Sequence, residues 1–164
     1  MITASDYREA MARFPSGVTI VTTADHEGRW WGFTASSFSP LSIDPPLILV
    51  CLSHDARCHP VFTSVPAFRV NVLGPEHEPL ATRFATKGAD KFAGNAFGPD
   101  RDGLPVLDGA LVSLRCRTVE LPRAGDHTIL IASVEDVQLR PDGTPAVHAD
   151  RRYWALTPPE TAQP

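Results

Sequence analysis

Sixteen prolines in 164 residues constrain this chain more than any other feature. That is about double average usage. Each ring fixes φ, removes an N–H donor and ends a helix near its own position. A chain so punctuated folds through many short elements with stiff corners and has no room for long helices. Its length predicts one domain, since domains average ~150 residues. Hydrophobic residues at 43% supply a core, against 21% charged, so disorder is not expected. The polar, proline-rich end (TPPETAQP) is expected to be a disordered tail, giving a domain over 1–156 and a tail over 157–164.

Between the prolines the apolar period changes once. Tyr7, Ala10, Met11 and Phe14 fall at i, i+3, i+4 and i+7, predicting a helix capped by Asp6 with Glu9 three residues on. Its apolar face is expected to pack on the core as a lid, and Pro15-Ser16-Gly17 stops it. Period two follows. Strands are predicted over 17–24 (GVTIVTTA), 30–38 (WWGFTASSF), 47–52 (LILVCL), 68–73 (FRVNVL), 110–120 and 129–137, with a hairpin turn at Asp25–Gly28. In 110–120, Val112, Leu114 and Cys116 alternate with Ser113, Arg115 and Arg117, so one face is expected in the core. Glu78 to Thr86 has helical spacing. Strands with unevenly placed helices predict a mainly β fold with helical caps: a closed or half-closed antiparallel barrel, not a parallel βαβ sheet.

Charge and cysteine content remove several function classes. Lys plus Arg is 15 and Asp plus Glu is 19, a net charge of −4, with no basic block, which argues against nucleic acid and anionic membranes as partners. No stretch approaches the ~20 apolar residues of a membrane span. The amino terminus carries Asp6 and Glu9 with no apolar signal core, and three cysteines form no disulfide pattern, so a reducing cytoplasm is expected. There is no G-x-G-x-x-G, Walker loop or G-x-S-x-G elbow. His77-Glu78 opens like a zinc-protease helix, but Ala81 stands where a second histidine is needed and Pro79 would break that turn. Cys51, His54, Cys58 and His59 lie close together but lack the two separated pairs of a structural zinc site. Cys51 sits in an apolar strand, where a buried thiol is an ordinary small hydrophobe. No metal site is expected.

Three segments have compositions that packing does not explain. Gly32 to Phe38 puts small hydroxyl residues in a strand, offering donors to a planar heterocycle or an anion; a polar strand edge would read the same way. Ser53-His54-Asp55-Ala56-Arg57 leaves an apolar strand for a short helical turn, where N–H groups and the Arg57 fork suit phosphate. Arg83, Lys87 and Lys91 recur at i, i+4 and i+8 among aromatics; a solvated helix face with Asp90 as partner is the plain alternative.

These segments, with GVTIVTT, FRVNVL, the run Phe84 to Phe92 and Gly125-Asp126-His127, resemble the short-chain flavin reductase family over about Tyr7 to Leu156. That family includes the reductase components of two-component flavin monooxygenases. The resemblance implies an FMN-binding split β-barrel, a Greek-key antiparallel barrel. It also implies a homodimer that binds FMN or FAD at the subunit interface, reduces it with NADH or NADPH and supplies a partner monooxygenase. Carried over, Thr34, Ala35, Ser36 and Ser37 would line the isoalloxazine and ribityl chain. Ser53 and Arg57 would hold the phosphate, with Phe84, Ala85 and Lys87 completing the cradle. His127 would be the catalytic residue, meeting the nicotinamide, although a hydrogen-bonded structural histidine fits that position too. Asp150-Arg151-Arg152-Tyr153 would close over the cofactors, Tyr153 among them. Trp30, Trp31 and Phe33 are candidate interface anchors. Arg57, Cys58 and His59 depart from the small hydroxyl residues of many relatives. A flavin-retaining electron-transfer protein and a non-catalytic barrel remain the competing classes.

Overall fold

The computed structural model describes residues 1–157; all but the first residue of the expected tail lies outside them. The chain runs through α1 (Ala4–Ala12), β1 (Ser16–Gly17), β2 (Thr19–Ala24), β3 (Trp30–Ala35), β4 (Ser39–Ile43) and β5 (Pro46–Ser53). It continues through α2 (His59–Phe62), β6 (Ala67–Val72), α3 (Glu78–Ala85), β7 (Phe97–Pro99) and β8 (Pro105–Leu107). The last strands are β9 (Val112–Glu120), β10 (Arg123–Ala124), β11 (His127–Leu139), β12 (Val147–Ala149) and β13 (Arg152–Trp154). The longest helix has 9 residues, as the proline content demands.

Eight strands form one antiparallel sheet in the order β3-β2-β6-β9-β11-β5-β4, with β10 beside β11. β1, β12 and β13 make a second small sheet, and β7 pairs with β8. The molecule is mainly β with helices at the margins. The β-branched run of β2 pairs with β3 from Thr19 opposite Ala35 to Ala24 opposite Trp30. The expected hairpin turn is closed by Asp25, whose carboxylate accepts from the Glu27 and Arg29 N–H groups, while Gly28 takes φ +79°. That left-handed conformation is one a side chain resists.

Two apolar clusters result. One gathers Val21, Val50, Leu52, Phe62, Phe68, Cys116 and Leu130; the other joins Val18, Ile20, Leu73, Ala81, Phe84 and Leu107. On β9 the expected core face is only partly sealed, Val112 and Leu114 half-buried with Cys116 in the core, while the polar face is covered as far as Arg115 and exposed at Arg117. Ser113 and Arg115 are buried beneath the segment carrying β7 and β8. There Arg69 Nε donates to Asp100 Oδ2 at 2.8 Å, Arg115 Nη2 meets Asp102 at 2.9 Å, and Asn71 Oδ1 accepts from Leu107 N–H and the Ser113 hydroxyl.

Four local expectations change. The N-cap of α1 is Thr3, with Asp6 completing the capping box at the third helical position. The helix buries nothing in this chain: Tyr7, Met11 and Phe14 are 57%, 49% and 71% exposed. Pro79 opens α3 rather than breaking it, because the first helical turn needs no N–H from that residue. Cys51 is half-buried, not sealed in the core. No helix among the described residues is long and apolar enough to cross a membrane.

Candidate functional site

A groove of about 650 Å³ opens between β3, the end of β5 and the chain leaving α3. Its walls are Trp30 to Thr34, Cys51 to Ser53, Asp55 to Cys58, Phe84 to Phe92, and His127. Three features of the sequence bring these distant segments together. Gly32 has no side chain because the Phe84 ring lies on it: a Cβ there would stand 2.7 Å from Phe84 Cε1. Thr34 donates to Ala81 O, fastening β3 to α3. Ser53 pairs with His127 across β5 and β11, so one wall continues directly into the other.

Past Ala85 the chain turns away from the helix, and Gly88 adopts φ +78°. Arg83, Lys87 and Lys91 therefore do not share a helical face. Arg83 Nη1 donates to Ala93 O at 2.8 Å and lies outside the groove lining. Lys91 does line it, its ammonium donating to Phe84 O and to Thr86 O. Burial pushes the Lys91 pKa down. Lys87 and Arg57 are exposed along the groove, and neither has an ion-pair partner among the described residues. Asp55 and Asp90 are the acidic residues of the lining.

At the other end, His127 Nδ1 lies 2.7 Å from Asp126 Oδ1. An ionised carboxylate only accepts, so that contact fixes a proton on Nδ1. The neutral ring then keeps its Nε2 lone pair free. The imidazole beside it holds the Asp126 carboxyl below the usual range. Gly125, at φ +60°, makes the tight turn that starts β11 at His127.

Of the residues carried over by resemblance, Thr34, Ser53, Arg57, Phe84, Ala85, Lys87 and His127 line this one groove. Ala35, Ser36, Ser37 and Tyr153 do not. Ala35 points into the core, and Ser36 is exposed. Ser37 accepts from Cys51 N–H and donates to Cys51 O, tying its loop to β5. Tyr153 packs on the second apolar cluster beside His148. The expected phosphate segment forms a turn, with the Ser53 hydroxyl accepting from Asp55 N–H, ahead of a four-residue α2. Trp30 and Trp31 are half-buried groove walls, their indole N–H groups donating to Gly103 O and Asp25. Cys58 lines the groove too, but burial pushes its thiol up to about 11, so it is no thiolate nucleophile. Sequence reasoning missed Cys51 and Lys91 as lining residues. Gly32, alone among bulky neighbours in a strand, was the available signal for a close approach.

The groove thus has aromatic and small residues on its sides and, along one edge, Arg57 and Lys87 with no ion-pair partner among the described residues. A model of the flavin reductase like domain matches residues 11–157. The actinorhodin polyketide dimerase of Streptomyces coelicolor is 50% identical over 91% of this chain and 84% of its own length. An NADH:riboflavin 5'-phosphate oxidoreductase of Streptomyces pristinaespiralis is 39% identical over 94% of this chain and 89% of its own. Among solved structures, the NADH:FAD oxidoreductase SgcE6 of Streptomyces globisporus, in complex with NAD and FAD fragments, superposes with a TM-score of 0.89 at 32% identity, covering 94% of this chain and 93% of that one. A homologue of nitrilotriacetate monooxygenase component B from Mycobacterium thermoresistibile also gives 0.89, at 31% identity over 98% and 89%. The chain belongs to the flavin reductase like domain family.

Proposed function

We propose that this protein is an NADH:flavin oxidoreductase that reduces FMN in the groove between β3, β5 and α3 and passes it on to a flavin-dependent monooxygenase. One observation carries the reading. Arg57 and Lys87, thirty residues apart in sequence, face the same groove without carboxylate partners among the described residues, while His127 stands in its wall. Unpaired cations beside aromatic walls suit a phosphate-bearing heterocycle. Relatives named for NADH, FMN and FAD support the same pair of ligands.

Hydride transfer between nicotinamide and flavin is chemistry that the two bound groups supply. The residues bind, orient and exclude water. Arg57 and Lys87 hold the phosphate, with Ser53 and the backbone at Ala85 beside them. Phe84, pinned against Gly32, gives a rigid apolar wall, and Thr34 keeps α3 docked beneath it. His127, oriented by Asp126, offers Nε2 to the nicotinamide carboxamide and aligns the ring, for which a separation of ~3–3.5 Å between reacting atoms is required.

The homodimer reading is supported by the uncovered apolar face of α1, with Tyr7 and Phe14 both more than half exposed. In that reading a second copy covers this helix and helps shield the groove. Sheet closure as a split barrel is supported by Ser37, whose bonds to Cys51 draw the chain after β3 against β5. The three free thiols accord with a cytoplasmic enzyme. A solved relative named as a monooxygenase component supports the partner class.

The test is NADH oxidation with trace and with excess FMN. A reductase turns over all the added flavin. A single bleaching of bound flavin followed by arrest would instead make this an electron-transfer flavoprotein.

A further inference from the structure

The turn that carries Arg57 is tied at both ends to one hydroxyl. His54 Nε2 lies 3.2 Å and His59 Nε2 2.9 Å from Thr128 Oγ1. The two rings meet edge to face with centroids 5.1 Å apart. Thr128 is only 3% exposed and directly follows His127 on β11. The His54 N–H also donates to Asp126 O at 2.9 Å. Residues 55–58 thus form a loop closed on the strand that presents His127, and Arg57 sits on that loop. Neither histidine lines the groove, so these groups touch no ligand there.

A threonine hydroxyl has one proton and two lone pairs. It can donate to one Nε2 and accept N–H from the other, which satisfies all three groups when both imidazoles are neutral. Protonating the accepting ring points two N–H groups at one oxygen, leaves the hydroxyl proton without its acceptor and sets a cation against the neighbouring imidazole. Burial first, then His54 and Arg123, push the His59 pKa down, which favours the neutral arrangement. The other charged or titratable groups around it are Asp55, Arg57 and Cys58 on the turn, Asp126 between β10 and β11, and His127 at the start of β11.

We propose that Thr128, His54 and His59 form a positioning clasp that sets Arg57 relative to His127 and so selects flavins that carry a phosphate. The proposal rests on the reading of Arg57 as a phosphate donor. A guanidinium fork gains its full strength only when its base is held in place. Because burial holds the His59 pKa below its ordinary value, the clasp is fully present above the ordinary histidine range, near ~6.5, and is lost as pH falls through the lowered His59 value.

The experiment compares KM and kcat for FMN and riboflavin in wild type, Thr128→Val, Thr128→Ser, His59→Gln and Arg57→Ala, with a melting curve for each. Thr128→Val is expected to raise KM for FMN on the order of tenfold, with kcat and the riboflavin KM within about twofold of wild type. Thr128→Ser keeps the hydroxyl and restores the FMN value. His59→Gln, at a half-buried site, reproduces the Thr128→Val result with little change in melting. The FMN preference of wild type falls in acid more steeply than that of Thr128→Val. An unchanged FMN-to-riboflavin ratio in Thr128→Val and His59→Gln, while Arg57→Ala abolishes the preference, overturns the clasp and leaves the phosphate reading standing. An unchanged ratio in Arg57→Ala overturns the phosphate reading and the clasp with it.

Discussion

Beneath the β7–β8 hairpin, Arg69 and Arg115 lie buried against Asp100, with Asp102 and Glu135 completing their coordination. In the groove, Arg57 and Lys87 stand in solvent with no carboxylate partner among the described residues. Both regions combine basic side chains with aspartate, yet they serve opposite ends. A buried ion network is locally specific: each charge is tolerable only because its partner is present. An exposed cation at a concave surface loses little by waiting for an anion. The difference teaches how to separate structural charge from ligand-binding charge. Pairing decides it, not residue type. Trp30 joins the two regions, donating to Gly103 O beside the hairpin while meeting Phe92 edge to face in the groove, centroids 5.5 Å apart.

The largest effect expected from this contrast is on stability. Asp100→Ala leaves Arg69 and Arg115 buried without the carboxylate that both face and is expected to cost about 3–5 kcal/mol. Urea unfolding measures the loss, and turnover per folded molecule stays near wild type. A loss under about 1 kcal/mol, the range of exposed pairs, would erase the distinction between the two regions.

Lys87→Ala inverts that pattern. It is expected to leave unfolding unchanged and to weaken FMN binding by on the order of 1–3 kcal/mol, with riboflavin affinity kept. Titration of protein fluorescence with each flavin checks it; equal losses for both would make Lys87 a solvated surface charge. For His127→Ala the expected result is a roughly 10- to 100-fold lower kcat/KM for NADH with flavin affinity and melting intact. Stopped-flow reduction of bound flavin reads this directly. A variant that melts lower yet reduces flavin at the wild-type rate would show a structural histidine.

The smallest effect concerns Asp25, which is paired although it stands beside the groove. The Trp31 indole, then the Arg29 backbone and side chain, hold its carboxyl well below the usual carboxylate range. A lowered pKa gives stability that is full above the ordinary Asp value and is lost as pH falls toward the folded one. Wild type should therefore melt progressively lower in acid, and Asp25→Asn should show a shallower slope. Parallel slopes would mean that Asp25 contributes nothing to holding Trp31 in the groove wall.

Much of this molecule is written in local patterns. The β-branched runs of β2 and β6, the apolar β5 and the helical spacing of α3 fall within a few residues of where period and proline positions put them, because those signals act between neighbours. Family motifs gathered seven of the carried-over residues into one groove. What sequence could not reveal is which polar groups are already engaged. Thr34 and Ser37 look alike on paper as free donors, yet their hydroxyls fasten β3 to α3 and the following loop to β5. Arg115 alternates like an exposed residue and is buried, because a hairpin from elsewhere in the chain covers it. The α1 face looked like a core-facing stripe and is bare.

The sequence by itself determined the short-element β architecture, the family and the chemical types gathered for the site. The architecture follows from φ restriction and period, which act locally, and the family and its site residues from the resemblance of several motifs in the same order. Tertiary structure alone decided that Arg57 and Lys87 are unpaired among the described residues, that Gly32 makes room for Phe84, and that His54 and His59 converge on Thr128. Each depends on which atoms from distant segments come within a few ångströms, and hydrogen bonds and ion pairs exist only at that range.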